Sequence, residues 1–325
     1  MLVGLLLAWG GVRVGEVLAA LARLDPGVYL LALGVQAAIY LLRALRFRLL
    51  LPSDPRVSFA RVLPVTAAHG LAAYVLPAKV GEASLIVYLK GACGTAGWDA
   101  AAVLLLSRLL DLATVAGSLS LACIVLSTSG VFAERGLDWL GGLGAALFVL
   151  MLAFGWASAR GERLAGWVEA FLRGLGLSRT RLGAGAERLA ARLRDALARV
   201  GAGRLRAGAL LSLPVWLCVY LFYAVLARGL GLSDLSFFEA IFGSSLAVLA
   251  NLLPINGFAG FGTQDAGWVV GFGAVGVERE LALESALAFH LVYLFNIVAF
   301  GVAGHLGMGM GGSVTGTGSG ARWGR

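Results

Sequence analysis

The chain has 325 residues, of which 59% are apolar and 14% charged, and its mean hydropathy is +0.88. An ordinary soluble domain carries about 25% charged residues, so this composition excludes one and indicates a polytopic membrane protein. The formal charge is +8, but the excess sits mainly in two loops beside apolar spans, which fits membrane topology and anionic lipid rather than nucleic acid.

Met1 to Val12 is apolar but short of the ~20 residues that a crossing helix needs. It lacks a basic leading region and a small-residue cleavage site, so it is read as a clipped first helix and not as a signal peptide. Arg13 to Leu24 spaces Val14, Val17, Leu18, Leu21 and Leu24 at helical intervals with charges between, as an interfacial helix does. Asp25-Pro26-Gly27 ends it. Val28 to Leu51 is a full span closing in LLRALRFRLLL, where Arg43, Arg46 and Arg48 are expected to snorkel to lipid phosphates.

Val62 to Leu76 runs for only ~15 residues, too few for an ordinary crossing. Pro77 lacks an N–H and disfavours helix in the residue before it, so the helix should stop near Leu76. Lys79 and Glu82 follow at once, and Gly81 to Leu89 returns as a second short apolar piece. The pattern predicts a re-entrant hairpin with its tip at Pro77 to Glu82. Ala100 to Ser127 is a full span in which Ser107, Asp111, Thr114 and Ser118 share one face. Arg108 and Asp111 stand three apart and can pair.

Leu140 to Ser158 spans again. Arg160 to Arg206 holds eleven arginines against four acids, a net of +7, and reads as a basic amphipathic segment on the cytoplasmic face. Ala207 to Leu230 is a span with Pro214 as a tolerated kink. Phe237 to Leu253 is short and closed by Pro254, and the glycine-rich stretch after it is expected to be only weakly helical. Leu281 to Leu306 is the last span and contains His290, Tyr293 and Asn296. Gly307 to Arg325 reads as a flexible glycine-rich tail. Cys93, Cys123 and Cys218 have no metal or redox spacing and are read as packing residues. Trp98, Trp139 and Trp216 are read as interfacial anchors.

The predicted fold is all-α: one membrane domain over residues 1–306 with about six full transmembrane helices and two broken re-entrant hairpins. Placing both basic loops in the cytoplasm sends the second hairpin in from the opposite side and returns the C-terminus to the cytoplasm. This makes an inverted repeat, about 1–130 and about 138–306. Inverted repeats with broken helices place substrate near the midplane between them.

Charges at that depth cost about 2.5 to 3.5 kcal/mol each on insertion scales, so Lys79, Glu82, Arg108 and Asp111 require a polar cavity or mutual pairing. The expected pairs are Lys79 with Asp111 and Glu82 with Arg108, and a packed ion cluster without function is the plain alternative. The candidate substrate-binding set adds Gln264, Asp265, Asn256 and His290 from the second break. Pro77, Gly81, Pro254, Gly260 and Gly262 are the structural breaks. Lys79 and Arg108 suit a phosphate head group, with Glu82, Asp111 and Asp265 orienting those cations or contacting a cationic head group.

No catalytic motif, metal site or nucleotide site is found: HExxH, GxSxG and Walker A patterns are absent from the sequence, and no cofactor is expected. Two other readings compete with transport. One is an intramembrane head-group transferase using Glu82 or Asp265 as base and His69 or His290 as proton carrier. The other is a scaffold that hands lipid-linked intermediates to a partner synthase or glycosyltransferase.

Pro77-x-x-x-Gly81-Glu82, Arg108-x-x-Asp111 one helix later, the LRALRF turn, and Pro254 with Gly260-x-Gly262-x-x-Asp265 form a recognisable set. Together they resemble the flippase-like transmembrane region of lysylphosphatidylglycerol synthases, from Val28 to about Leu306. The resemblance implies a multi-pass protein of a prokaryotic inner membrane that moves an anionic phospholipid or lipid-linked substrate between leaflets. Asp265 stands where that family is expected to carry Glu, and His290 where a basic residue often sits. The aminoacyl-transferring domain is not among these residues, so lysyl transfer is not carried over.

Overall fold

The computed structural model describes residues 14–54, 57–159, 181–252 and 258–313. Among these residues the chain forms ten α-helices and no strand. They are α1 (Val14–Arg23), α2 (Pro26–Leu50), α3 (Phe59–Val75), α4 (Ser84–Cys93), α5 (Gly97–Thr128), α6 (Trp139–Ala159), α7 (Arg181–Gly229), α8 (Phe237–Leu252), α9 (Thr263–Ala274) and α10 (Arg279–Ser313). The expected clipped helix at residues 1–12, Pro254 and Asn256 of the second break, and the segment 160–180 lie outside the described residues.

Among the described residues four stretches are long and apolar enough to cross a membrane: Pro26–Leu50, Gly97–Thr128, Arg199–Gly229 and Arg279–Gly309. They match four of the expected spans, and α6 takes the place of the fifth. Asp25 starts α2 by accepting hydrogen bonds from the Gly27 and Val28 N–H groups at 2.8 and 3.0 Å, with Pro26 in the first turn where its missing N–H does no harm. Gly201, at φ 74°, divides α7 into a basic outer segment and the span. Pro214 sits within that span without ending it.

The remaining apolar helices come in short pairs. Helix α3 has 17 residues and α4 has 10, while α8 has 16 and α9 has 12, each below the ~20 needed to cross. Helix α3 packs on α4, and α8 on α9, as two hairpins. The first turns where the sequence indicates: Leu76 is extended, and Pro77–Ala83 forms a 3-10 helix. Gly81 is required there, because a Cβ at that position would run into the carbonyl of Ala72. The second tip contains a 3-10 turn, Phe258–Gly260, that touches α3 and the first tip.

Two expectations need correction. The glycine-rich stretch after the second break is a regular helix, α9, because its glycines lie against α8. A Cβ on Gly267 would stand 2.6 Å from Leu246 O, and one on Gly271 would stand 2.6 Å from Gly243 O. The spacing is the small-xxx-small pattern by which apolar helices approach closely, and packing outweighs the low helix propensity of glycine. The second correction concerns the tail, since α10 continues through residues 307–313. It is held along α3 by a similar seam: a Cβ on Gly304 would lie 2.6 Å from both Ala68 N and Pro64 O, and one on Gly301 would meet Leu71.

Helix α1 lies on α10, burying Val17 and Ala20, and Arg23 reaches Glu284 at 3.1 Å. The main core joins α2, α7 and α10 with an aromatic group that includes Phe222, Tyr223, Trp268 and Phe289. A smaller core joins α2, α3, α4 and α5.

Gly271→Leu is expected to lower the unfolding midpoint of the detergent-solubilised protein by forcing α9 off α8, at about 1–3 kcal/mol or more. Gly273→Leu, two residues on, where a Cβ meets nothing within 4 Å, is the matched control and should leave the melting curve in place.

Candidate functional site

Asp111, on α5, is the hub of a buried ion network. Its Oδ1 accepts from Arg46 Nη1 at 2.7 Å and from Trp216 Nε1 at 2.9 Å. Its Oδ2 accepts from Arg108 Nη1 at 3.0 Å. Arg46 Nη1 also donates to Ser212 Oγ at 2.9 Å. Arg108 then turns to the first tip, where its Nε and Nη2 stand 2.9 and 2.8 Å from Glu82 Oε2. Helices α2, α5 and α7 and the first tip therefore meet through one chain of charge.

The expected Glu82–Arg108 pair is present. Lys79 was expected to pair with Asp111; its side chain lies outside what is described, and Asp111 takes Arg46 and Arg108. Two residues read as interfacial are instead internal. Arg46 is 1% exposed and Trp216 is 5% exposed, because α2 lies against α7 and turns both side chains toward the carboxylate that α5 supplies. Both were missed as site residues. The signal for Arg46 was its three-residue spacing from Arg43 on the face that also buries Gln36 and Ile39.

The network borders a cavity of about 300 Å³. Arg43, Arg46, His69, Tyr74, Glu82, Arg108 and Asp111 are among its lining residues. Three arginines face two carboxylates, so the described ionic lining carries a net charge of +1 with histidine neutral. Arg43 Nε, Arg46 Nε and His69 Nε2 are buried without a hydrogen-bond partner in the protein. None of the ion pairs among the described residues involves Arg43. Buried donors are nearly always satisfied, and two of these unsatisfied nitrogens belong to arginines that line the cavity. His69 is oriented by Ser84, whose Oγ lies 2.9 Å from Nδ1, and its Nε2 stands 3.8 Å from Glu82.

The candidates from the second break form a separate cluster. Asp265 Oδ2 accepts from the Gly262 N–H at 2.9 Å, which fixes the start of α9. Its Oδ1 lies 2.8 Å from His290 Nδ1, both side chains being almost fully buried. His290 Nε2 lies 3.0 Å from Ala259 O and 3.3 Å from Tyr74 Oη. Tyr74 also donates to Gln264 Oε1 at 3.1 Å, which Asn251 Nδ2 approaches at 3.3 Å. Gly260 and Gly262 adopt φ of 77° and 89°, values that side chains disfavour. Glu82, Arg108 and Asp111 thus gather at the cavity, while Gln264, Asp265 and His290 gather at the second tip, with Tyr74 touching both.

Long apolar helices, two short-legged hairpins and an ionic cavity between them define a polytopic membrane protein with a polar interior site. The chain belongs to the lysylphosphatidylglycerol synthase TM region family, which matches residues 1–301. Comparison with curated proteins and with solved structures finds no match in either.

Asp111→Ala strands Arg46 as a buried charge without its partner and is expected to cost about 3–5 kcal/mol of stability, read by denaturant or thermal unfolding in detergent. Adding Arg46→Met to that variant should restore much of the loss. A double variant no better than the single would reject the hub assignment.

Proposed function

We propose that the chain is a lipid translocase whose cavity receives the phosphate of an anionic head group. The observation that carries this is the imbalance of the cavity: one surplus positive charge together with buried guanidinium nitrogens that no protein atom satisfies. A phosphodiester supplies one negative charge and two unesterified oxygens, and guanidinium is the side chain best matched to them. Arg108 is already held by Glu82 and Asp111, so the contact falls to Arg43, with Arg46 beside it. The sequence expectation of Arg108 as a direct ligand is replaced by Arg108 as the link that ties Glu82 to the network.

The arrangement of helices supports the alternating geometry that such a role needs. Helix α2 packs on α7, α3 packs on α10, and α8 packs on α5. Each is the pairing that two oppositely oriented halves would exchange, with α2, α3, α4 and α5 corresponding to α7, α8, α9 and α10. In this reading the arginine-rich outer segment of α7 lies in the cytoplasm of a prokaryotic cell, against the anionic inner leaflet.

Leaflet exchange of labelled phosphatidylglycerol in proteoliposomes tests the assignment. Arg43→Ala should slow exchange about tenfold or more, the loss expected for one charge-assisted contact, and Arg43→Lys should recover part of it. Wild-type exchange rates retained by Arg43→Ala, at equal reconstitution, would remove the phosphate site from the cavity.

A further inference from the structure

His290 faces an acceptor on each side. Nδ1 is 2.8 Å from the carboxylate of Asp265, and Nε2 is 3.0 Å from the carbonyl of Ala259. A neutral imidazole has one N–H and one lone pair, so it satisfies only one of these contacts and points its lone pair at the other oxygen. Both contacts are favourable only when the pair holds one further proton, either on Nδ1 beside a carboxylate or on the carboxyl, which then donates to Nδ1 while Nε2–H donates to Ala259. The carboxylate's other oxygen accepts the Gly262 N–H at the start of α9.

We propose that Asp265 and His290 form a buried proton-binding site whose occupancy holds the second hairpin tip in the position seen here. With the proton bound the pair has no net charge, as imidazolium with carboxylate or imidazole with carboxylic acid, which suits an interior where both side chains are almost fully enclosed. What it holds is strained. Ala259 adopts φ 52°, the only positive value among the described non-glycine residues, and its carbonyl is the acceptor for His290 Nε2. Phe261, two residues on, stacks on the imidazole with ring centroids 3.8 Å apart. A cationic ring strengthens that stack.

Loss of the proton has a definite structural consequence. The ring keeps its Nδ1–H toward the charged Asp265, and Nε2 becomes an acceptor. It then repels the Ala259 carbonyl and can take the hydroxyl hydrogen of Tyr74, 3.3 Å away, which now points to Gln264. Nε2 thus exchanges a bond within the second hairpin for one to α3 of the first. The proton leaves as a hydronium ion toward the cavity, which Tyr74 lines, and no other bond changes. The titratable groups around the pair are Tyr74 on α3, Tyr293 on the same helix as His290, and Tyr223 on α7. The ion pair that His290 makes is with Asp265.

The chain has three histidines, so protein labelled with nitrogen-15 histidine in nanodiscs gives three ring signals, assigned by removing His69 and His305 in turn. The expected result is that His290 carries hydrogen on Nε2 while the tip is held and keeps hydrogen only on Nδ1 once the proton is lost as pH rises. Asp265→Asn provides the sharper comparison. The amide keeps the Gly262 contact through its oxygen and donates to Nδ1, so a neutral ring can still donate from Nε2 to Ala259. This variant should show a neutral His290 with its hydrogen on Nε2 and a tip that stays locked at every pH.

Hydrogen exchange of residues 258–266, compared between the two proteins at each pH, should match near neutrality. It should run on the order of tenfold faster in wild type at alkaline pH, as removal of one charge-assisted bond from a strained turn predicts. A wild-type His290 whose only ring hydrogen is on Nδ1 while the tip is held would overturn the proposal, as would exchange that follows the variant across the whole pH range. Neither measurement involves lipid transport, so the proton site stands or falls apart from the phosphate cavity.

Discussion

The structure depends on the carboxylate of Asp111. It neutralises a guanidinium from α2, meets a second from its own helix and accepts an indole N–H from α7. In a low-dielectric interior none of these partners tolerates separation, because a buried ion stripped of its counter-ion loses several kcal/mol. Helices that lipid alone would leave free to drift are thereby fixed in one register. The same constraint sets the character of the cavity: two acids serve three arginines, and the residual charge is available to whatever enters.

Around that fixed centre the hairpins are built for close contact rather than for strength. Gly81 allows the first tip to fold back on α3, and Gly267 and Gly271 allow α9 to lie directly on the backbone of α8. Short legs stop the two tips where they touch each other. Tyr74 lies at this contact, with its ring in the cavity lining and its hydroxyl among the polar groups of the second tip. Events at one polar cluster therefore have a physical route to the other.

The sequence made the architecture legible because its breaks are chemical. Pro77 ends α3 where a missing N–H and a restricted preceding residue require it, and the Glu82–Arg108 pair follows from two charges that lipid does not tolerate alone. Arg46 and Trp216 were misread for a reason that sequence does not contain. Both residue types suit a membrane interface as well as a buried ion network, and only the approach of α2 to α7 decides between them. The helicity of α9 was hidden in the same way, since glycine weakens an isolated helix yet permits the packing that stabilises this one. Periodicity and breaker residues report the local chain; which face meets which neighbour is a property of the assembled bundle.

The seam between α3 and α10 has a mechanical consequence. Gly304 meets backbone atoms of Pro64 and Ala68, so the contact at that level is a smooth one, without interlocked side chains that must climb out of their sockets when the helices move. Small sliding of packed helices is one of the recognised ways in which proteins change state. At Gly304 the first hairpin meets the last helix through backbone, and a bulky residue there would have to push α3 and α10 apart.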